Sequence, residues 1–307
     1  MVENGHYEVL IIGGGPAGLS AAVYMARYDR QVALFDTGRG RSNWHQVNHN
    51  YLGFPGGVKA REIRARGREQ VESYDQVTIL PHAITEMARD GSEFIARGEQ
   101  GEWRGQSVIL ATGVTDRWPK FEDWQEYVGR SMFWCLTCDG YASRGKKLVT
   151  LGNDNPAACT TLQLQRFAPD ITMLTGTPTH TISQVYLDRL ANAGIPLVCD
   201  EIESVAGKDG QFEAIYTRDG WCIELECLFN LVEAVPNTKL ARDLGVELND
   251  IGYIKVDTEQ RTNVEGVYAA GDVTWLHSHQ IAAAVHEGGQ AASAANYFLY
   301  PPELREP

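Results

Sequence analysis

Residues 9–12 form an unbroken apolar run, followed by a glycine-rich turn and by apolar positions spaced as on a helix to about residue 28. A second apolar run at 32–35 ends at Asp36. The pattern predicts strand, tight turn, helix and strand, a βαβ unit. Helical spacing returns over about 59–74. Shorter alternating stretches at 77–80, 93–97 and 102–110 predict strands, the last running into Ala111-Thr112-Gly113.

The same order then starts again. Residues 147–151 read as a strand, 156–167 as a helix with a proline near its first turn, and 171–174 as a strand. A helix over 183–193 stops at Gly194, a C-cap signal. Strands at 211–217 and 221–227 are joined by Arg218-Asp219-Gly220, which signals a hairpin. Val235-Pro236-Asn237-Thr238 breaks the pattern. Beyond it come strands at 253–256 and 266–270, Gly271-Asp272, and a long alanine-rich helix through 295. Two dinucleotide-type units, one inserted after the other, imply an α/β protein with two Rossmann-like domains. The first is discontinuous, residues 1–116 and 239–307, and the second is a central domain of residues 117–238. The joints, near 115–117 and 236–239, are the natural hinges.

Chemistry concentrates at two motifs. In Gly13-x-Gly15-x-x-Gly18, the first glycine permits the turn, the second lets the backbone approach a pyrophosphate, and the third lets helix pack on strand. Pro16 and Ala17 open that helix, whose N-terminus offers amides and a positive dipole end to phosphates. Asp36 stands where an acid grips ribose hydroxyls. All four parts in register predict a bound dinucleotide, without saying which. The second motif is Cys135 and Cys138, three apart, which can close a small redox disulfide whose reactive form is a thiolate. Half of a zinc site and a pair of inert thiols are the competing readings, although no second pair stands at usable spacing. Cys159, Cys199, Cys222 and Cys227 read as small buried apolar residues.

Composition narrows the picture further. The chain has 307 residues and a net charge of −13, which speaks against general nucleic-acid affinity. No apolar run is long enough to span a bilayer, and the start lacks a basic-then-apolar layout, so a cytoplasmic protein is expected. One basic patch, Lys59, Arg61, Arg64, Arg66 and Arg68, is interrupted by Glu62 and Glu69. It reads either as a solvated helix face or as a docking patch for an acidic redox partner. Trp134 precedes the cysteine pair, and Trp275, His277, His279 and His286 follow Asp272. Packing and stacking beside a cofactor are both open for them. A three-histidine metal site lacks an acidic partner nearby, and no metal is expected. The tail Tyr297-Phe298-Leu299-Tyr300-Pro301-Pro302 suits a cofactor cover or a dimer surface.

Gly13-Gly14-Gly15-Pro16-Ala17-Gly18, Ala111-Thr112-Gly113 and Val267-Tyr268-Ala269-Ala270-Gly271-Asp272 resemble the three FAD signatures of flavoprotein disulfide reductases. With Cys135-Leu136-Thr137-Cys138-Asp139-Gly140 added, the chain resembles the low-molecular-weight thioredoxin reductase family over essentially its whole length, Pro236-Asn237-Thr238 included. The resemblance implies FAD in the first domain, with Asp272 bonded to its ribityl chain, Gly271 allowing close approach, and Gln280 and Ile281 near the ring. It implies that Cys138 meets the flavin, Cys135 exchanges with an external partner, and Asp139 handles the proton. A plain helix-capping role for Asp139 stays open. A homodimer is implied as well.

One stretch departs from the family. In Gly152-Asn153-Asp154-Asn155-Pro156-Ala157, an aspartate stands where the pattern has glycine, placing a side chain and a negative charge in the path of a dianionic ligand. The following strand ends Leu174-Thr175-Gly176-Thr177-Pro178, with no Lys or Arg between Arg166 and Arg189 to hold a 2′-phosphate. The expected function is an FAD-dependent thiol-disulfide oxidoreductase that does not use NADPH. It exchanges electrons between flavin, cysteine pair and a thioredoxin-like disulfide, with a donor such as ferredoxin or flavodoxin. The alternatives are an oxygen-dependent oxidase of a small dithiol, an NADPH-dependent thioredoxin reductase, and a flavin redox sensor.

Overall fold

Continuous apolar strands are viable only where both faces are covered, and Val9, Leu10, Ile11 and Ile12, at the end of the strand Glu3–Ile12, have that environment. The computed structural model describes residues 3–44, 47–119, 121–275 and 279–305; His277 lies outside them. Glu3–Ile12 pairs in parallel with Val32–Phe35 on one side and Gly101–Leu110 on the other, with Ile12 opposite Phe35 and Leu110. The full sheet has seven strands in the order Val77–Leu80, Val32–Phe35, Glu3–Ile12, Gly101–Leu110, Glu93–Gly98 and Glu86–Asp90, with Val267–Ala269 also paired to Gly101–Leu110. Alternation sends Val9 and Ile11 to a core shared with the helices Pro16–Arg27 and Ile281–Leu299. Leu10 and Ile12 enter a second core with Phe94, Trp103 and Leu240. Each such side chain, fully buried, contributes roughly 1.5–3 kcal/mol.

The chain divides into two units. The first is Met1–Asn43, Val58–Thr115 and Val235–Pro307, and the second is Trp44–Gly57 and Asp116–Ala234. Where the first unit is interrupted near residue 115, Val114–Thr115 pairs antiparallel with Val235–Pro236. The second unit is built on a five-stranded sheet in the order Leu197–Val198, Ile171–Leu174, Leu148–Leu151, Cys227–Asn230, Met132–Phe133. It also carries the helices Asn155–Leu164 and Gln184–Asn192, and a three-stranded sheet of Ile202–Lys208, Gln211–Thr217 and Cys222–Glu224. Both units are the expected α/β, Rossmann-type arrangement.

Three sequence expectations change. The strand over 221–227 divides: Cys222–Glu224 completes the hairpin, and Cys227–Asn230 enters the parallel sheet. The reason is burial, since Cys227–Asn230 is covered on both faces while Cys222–Glu224 is largely open. Residues 253–256 form no strand; Ile254 makes only isolated bridges, to Leu248 and Thr274. Of the four single cysteines only Cys227 is buried. Cys159 is half-buried, and Cys199 and Cys222 are exposed, because strand-edge and loop positions leave them facing water. Among the described residues no helix is long and apolar enough to cross a membrane.

Candidate functional site

The chain leaves Glu3–Ile12 through Gly13, at φ +116°. A Cβ there would lie 2.2 Å from the Ala111 carbonyl oxygen, so only glycine lets the turn sit this close to Gly101–Leu110. Gly18 is as crowded, its Cβ falling 1.8 Å from the Gly13 carbonyl oxygen. Gly15 differs: among the described residues nothing lies within 4 Å of the place its Cβ would take. It is also the N-cap of Pro16–Arg27 and has no side chain to occupy the amides of Ala17 and Gly18. The helix N-terminus therefore has no side-chain cap and open space at Gly15, as a phosphate requires.

Asp36 directly follows the next strand, Val32–Phe35, and is only 6% exposed. Arg64 Nη2 donates to both of its oxygens, at 2.8 and 2.7 Å, and Arg64 Nε donates to the Gly14 carbonyl oxygen at 3.1 Å. The Gly38 amide donates to Asp36 Oδ1 at 2.9 Å. Asp272 is matched in the same way, by Arg41 Nη1 at 2.9 Å. A cavity of about 320 Å³ opens beside the turn, lined by Gly13, Gly14, Asp36, Arg39, His82 and Thr112 among others. Thr112 is fixed there by Asn237: its hydroxyl donates to the Asn237 carbonyl oxygen at 2.7 Å, and Asn237 Nδ2 donates back to the Thr112 carbonyl oxygen at 2.9 Å. The Asn237 amide donates to the Gly113 carbonyl oxygen at 3.0 Å.

The Gly271 amide donates to buried Glu287 at 2.6 Å, so the turn before Asp272 is pinned to the last helix. Gln280 caps that helix and Ile281 is its first residue. A Cβ on Gly271 would lie 3.0 Å from the Ala17 Cβ. The signatures around Gly13, Ala111 and Gly271 therefore converge on one place. A helix end with no side-chain cap, a buried acid and flanking arginines fit a dinucleotide of the FAD type. Arg41 and Glu287 escaped the sequence reading, and Asn237 entered it only as part of Pro236-Asn237-Thr238. Arg64 was visible only as part of a basic patch.

In the second unit, Cys135 and Cys138 are joined as a disulfide. Cys135 is the N-cap of the short helix Leu136–Asp139, and its Sγ accepts from the Cys138 amide at 3.0 Å. Cys138 Sγ is 3.7 Å from Asn50 Nδ2, which donates to it. Asp139 is buried, 5% exposed. Trp134, which precedes Cys135, belongs to a cluster of four tryptophans: it meets Trp118 edge-on at 5.2 Å, Trp118 stacks on Trp124 at 5.4 Å, and Trp44 lies 6.0 and 5.6 Å from these last two. Trp44 and Asn50 both arrive on Trp44–Gly57, and only Trp134 was marked from sequence. Leu52, two residues after Asn50, is 98% exposed, and Tyr141, three residues after Cys138, is 73% exposed. Burial pushes the Cys227 thiol up, which leaves it a poor nucleophile.

The second glycine turn is occupied by its own chain. Asp154 is the N-cap of Asn155–Leu164, and its Oδ1 accepts from the Ala157 amide at 2.9 Å. The loop after Ile171–Leu174 folds back over this end. The Thr181 amide donates to the Asn153 carbonyl oxygen and the Ser183 amide to Asn155 Oδ1, both at 2.7 Å. Asn153 Nδ2 donates to Thr177 Oγ1 at 3.4 Å, and the Thr175 and Thr177 hydroxyls donate to carbonyl oxygens within the loop. Asparagine and threonine spacing was the sequence signal for this, and it passed unread.

Of the remaining candidates, His279 packs against Tyr253 and Trp275 at 5.4 and 5.2 Å and bonds the Thr274 carbonyl oxygen at 3.1 Å. His286 lies within the last helix. The aromatic tail folds onto its own unit: Phe298 and Leu299 join the first core, and Arg305 bonds the carbonyl oxygens of Phe298 and Tyr300. In the basic patch, Arg66 pairs with Glu62 and Arg68 with Glu72, while Lys59 and Arg61 are exposed. Among the described residues no cluster of three or more His, Cys, Asp or Glu could hold a metal ion.

A family model for pyridine nucleotide-disulphide oxidoreductases matches residues 7–288. The thioredoxin reductase of Treponema pallidum is 31% identical over 302 residues, covering 95% of this chain and 97% of that one. The crystal structure of thioredoxin reductase from Streptococcus pyogenes is similar with a TM-score of 0.89 at 26% identity, over 97% of this chain and 99% of that one. The crystal structure of the atypical thioredoxin reductase TRi from Desulfovibrio vulgaris is 34% identical with a TM-score of 0.54, over 95% of this chain and 97% of that one.

Proposed function

Because the chain belongs to the pyridine nucleotide-disulphide oxidoreductase family, as a low-molecular-weight thioredoxin reductase-like flavoprotein that binds FAD and acts on disulfides, we propose that it exchanges electrons with a thioredoxin-like partner without using NADPH. FAD, when bound, would supply a two-electron store that a dithiol can fill and a disulfide can draw on. The residues that would hold it are Gly13, Gly15, Pro16, Ala17 and Gly18 at the diphosphate, Asp36 at a ribose, and Ala111, Thr112, Gly113, Gly271, Asp272, Gln280 and Ile281 along the remainder. Arg41 and Arg64 hold the two acids in place.

Cys135 and Cys138 carry the exchange, Cys135 outward and Cys138 toward the flavin. The Cys135 thiolate attacks a partner disulfide; one partner sulfur leaves and takes a proton, and Cys138 then attacks Cys135 Sγ to re-form the internal bond. Asp139, buried beside the pair, is the group we assign to that proton. The partner gains two electrons and two protons, and the cysteine pair loses them.

One observation carries the NADPH-independent reading: the Asp154 carboxylate already holds the Ala157 amide, at the helix end where a pyrophosphate would bind. A dianionic group would meet a fixed negative charge there. Electrons then come from a protein donor of the ferredoxin or flavodoxin kind, with Lys59, Arg61 and Arg66 exposed cations of the helix Ala60–Glu72 region. We assign a cytoplasmic homodimer on the same grounds of kinship. The test is anaerobic titration of the yellow protein with NADPH, NADH and photoreduced ferredoxin in turn. The expected result is bleaching of the flavin band by ferredoxin alone; rapid bleaching by NADPH overturns the reading.

The exposure of Leu52, two residues after Asn50, and of Tyr141, three residues after Cys138, favours a second reading, in which a small apolar dithiol is oxidised and oxygen is the final acceptor. Oxygen uptake driven by such a dithiol, with no ferredoxin-dependent reduction, decides for it.

A further inference from the structure

The two sulfurs of the disulfide have different hydrogen-bond donors. Cys135 Sγ accepts from the Cys138 backbone amide at 3.0 Å, a bond made within the motif itself. Cys138 Sγ accepts from Asn50 Nδ2 at 3.7 Å, a hydrogen-bond separation for the larger sulfur atom. Asn50 lies 88 residues away in sequence and reaches the motif because Trp44–Gly57 packs with the second unit. We propose that Asn50 is a catalytic residue, whose side-chain amide stabilises the thiolate that Cys138 becomes when the disulfide opens. The proposal rests on Cys135 and Cys138 being the redox centre, as set out above.

Opening the disulfide makes one sulfur a leaving group. In the direction of dithiol oxidation, an external thiolate attacks Cys135 Sγ, a bond forms between those two sulfurs and the Cys135–Cys138 bond breaks; in the opposite direction the same Cys138 thiolate is the group that attacks the mixed disulfide at Cys135. Its electron pair moves to Cys138 Sγ, which leaves as a thiolate. The second thiolate of the substrate then attacks its own half of the mixed disulfide and releases Cys135. The substrate dithiol is oxidised, the pair is reduced, and the two protons pass to solvent or to a nearby base. Exchange is faster when the departing sulfur has a lower pKa. A hydrogen bond to the charged form lowers it, and bonds to charged groups are the strong ones.

A carboxamide suits this task because it carries no charge and does not titrate. It favours the thiolate without repelling it and without competing for the proton, the task assigned to Asp139. An aspartate at position 50 has the same shape with an acceptor in place of the donor, so the proposal separates charge stabilisation from packing.

The test follows the pH dependence of alkylation at each cysteine in the anaerobically reduced, flavin-loaded protein, with peptide mass mapping to tell Cys138 from Cys135. Wild type, Asn50→Ala, Asn50→Asp and Cys138→Ser are compared. The expected result is a Cys138 midpoint raised by about one pH unit in Asn50→Ala and further in Asn50→Asp, with Cys135 moved much less. An unmoved Cys138 midpoint in Asn50→Ala at full flavin content, or equal movement of both cysteines, overturns the role of Asn50. Retention of turnover by Cys138→Ser instead overturns the redox-centre reading beneath it.

Discussion

Arg64 Nη2 sits 2.8 and 2.7 Å from the two carboxylate oxygens of Asp36, while the same guanidinium holds the Gly14 carbonyl oxygen through Nε at 3.1 Å. One side chain from the helix Ala60–Glu72 thus fixes both the acid and the glycine turn of the nucleotide cradle. A pair this buried is costly to halve. Arg64→Ala leaves the Asp36 carboxylate without its main partner and is expected to cost about 3 kcal/mol. Urea denaturation and the flavin-to-protein absorbance ratio measure it. Unchanged stability with full flavin content refutes the assignment of Arg64 to the cradle.

Asp154→Gly removes the capping carboxylate but leaves a residue that N-caps helices nearly as well, so stability should fall by only about 0.3 kcal/mol. NADPH should still fail to bleach the flavin, because the loop across Asn153 and Asn155 stays bonded and no cation has been added. Adding Thr177→Arg and Thr179→Arg to that change supplies the charge. Restored bleaching by the single variant would mean that the carboxylate alone closes the site.

Cys138→Ser leaves a lone outward sulfur and should trap a thioredoxin-type partner as a mixed disulfide at Cys135. Cys135→Ser should trap little. Non-reducing gels with mass mapping show which variant holds the partner, and the opposite pattern exchanges the two roles.

Burial pushes the Tyr268 hydroxyl up to about 12, from an ordinary value of 10. The folded protein therefore holds this proton when the unfolded chain has released it, and stability falls as pH rises. The contribution is complete below pH 10 and lost between 10 and about 12, to a limit of roughly 2–3 kcal/mol. Denaturant midpoints at pH 9 and 12 should differ by less in Tyr268→Phe than in wild type. An equal difference in the two proteins would exclude Tyr268 as the source.

Glycine spacing and continuous apolar strands made both βαβ units readable, because local sterics dictate them. Residues 253–256 misled, since apolar alternation there reflects core contact through isolated bridges instead of a ladder. Arg41 and Arg64 were hidden for a different reason: their partners lie 231 and 28 residues away, and a surface arginine and a cradle arginine look alike in sequence. Asn50 was hidden most completely. Its contact depends on Trp44–Gly57 leaving one unit for the other, which no periodicity announces. Asp154 was legible as an obstruction, but its role as cap needed the helix end in view.

The loop tied down by Asn153, Asn155, Thr177, Thr181 and Ser183 is held at several points at once. Each bond is weak alone, so under the NADPH-independent proposal a coenzyme would enter only after several were lost together, and no single substitution along this loop should restore that route.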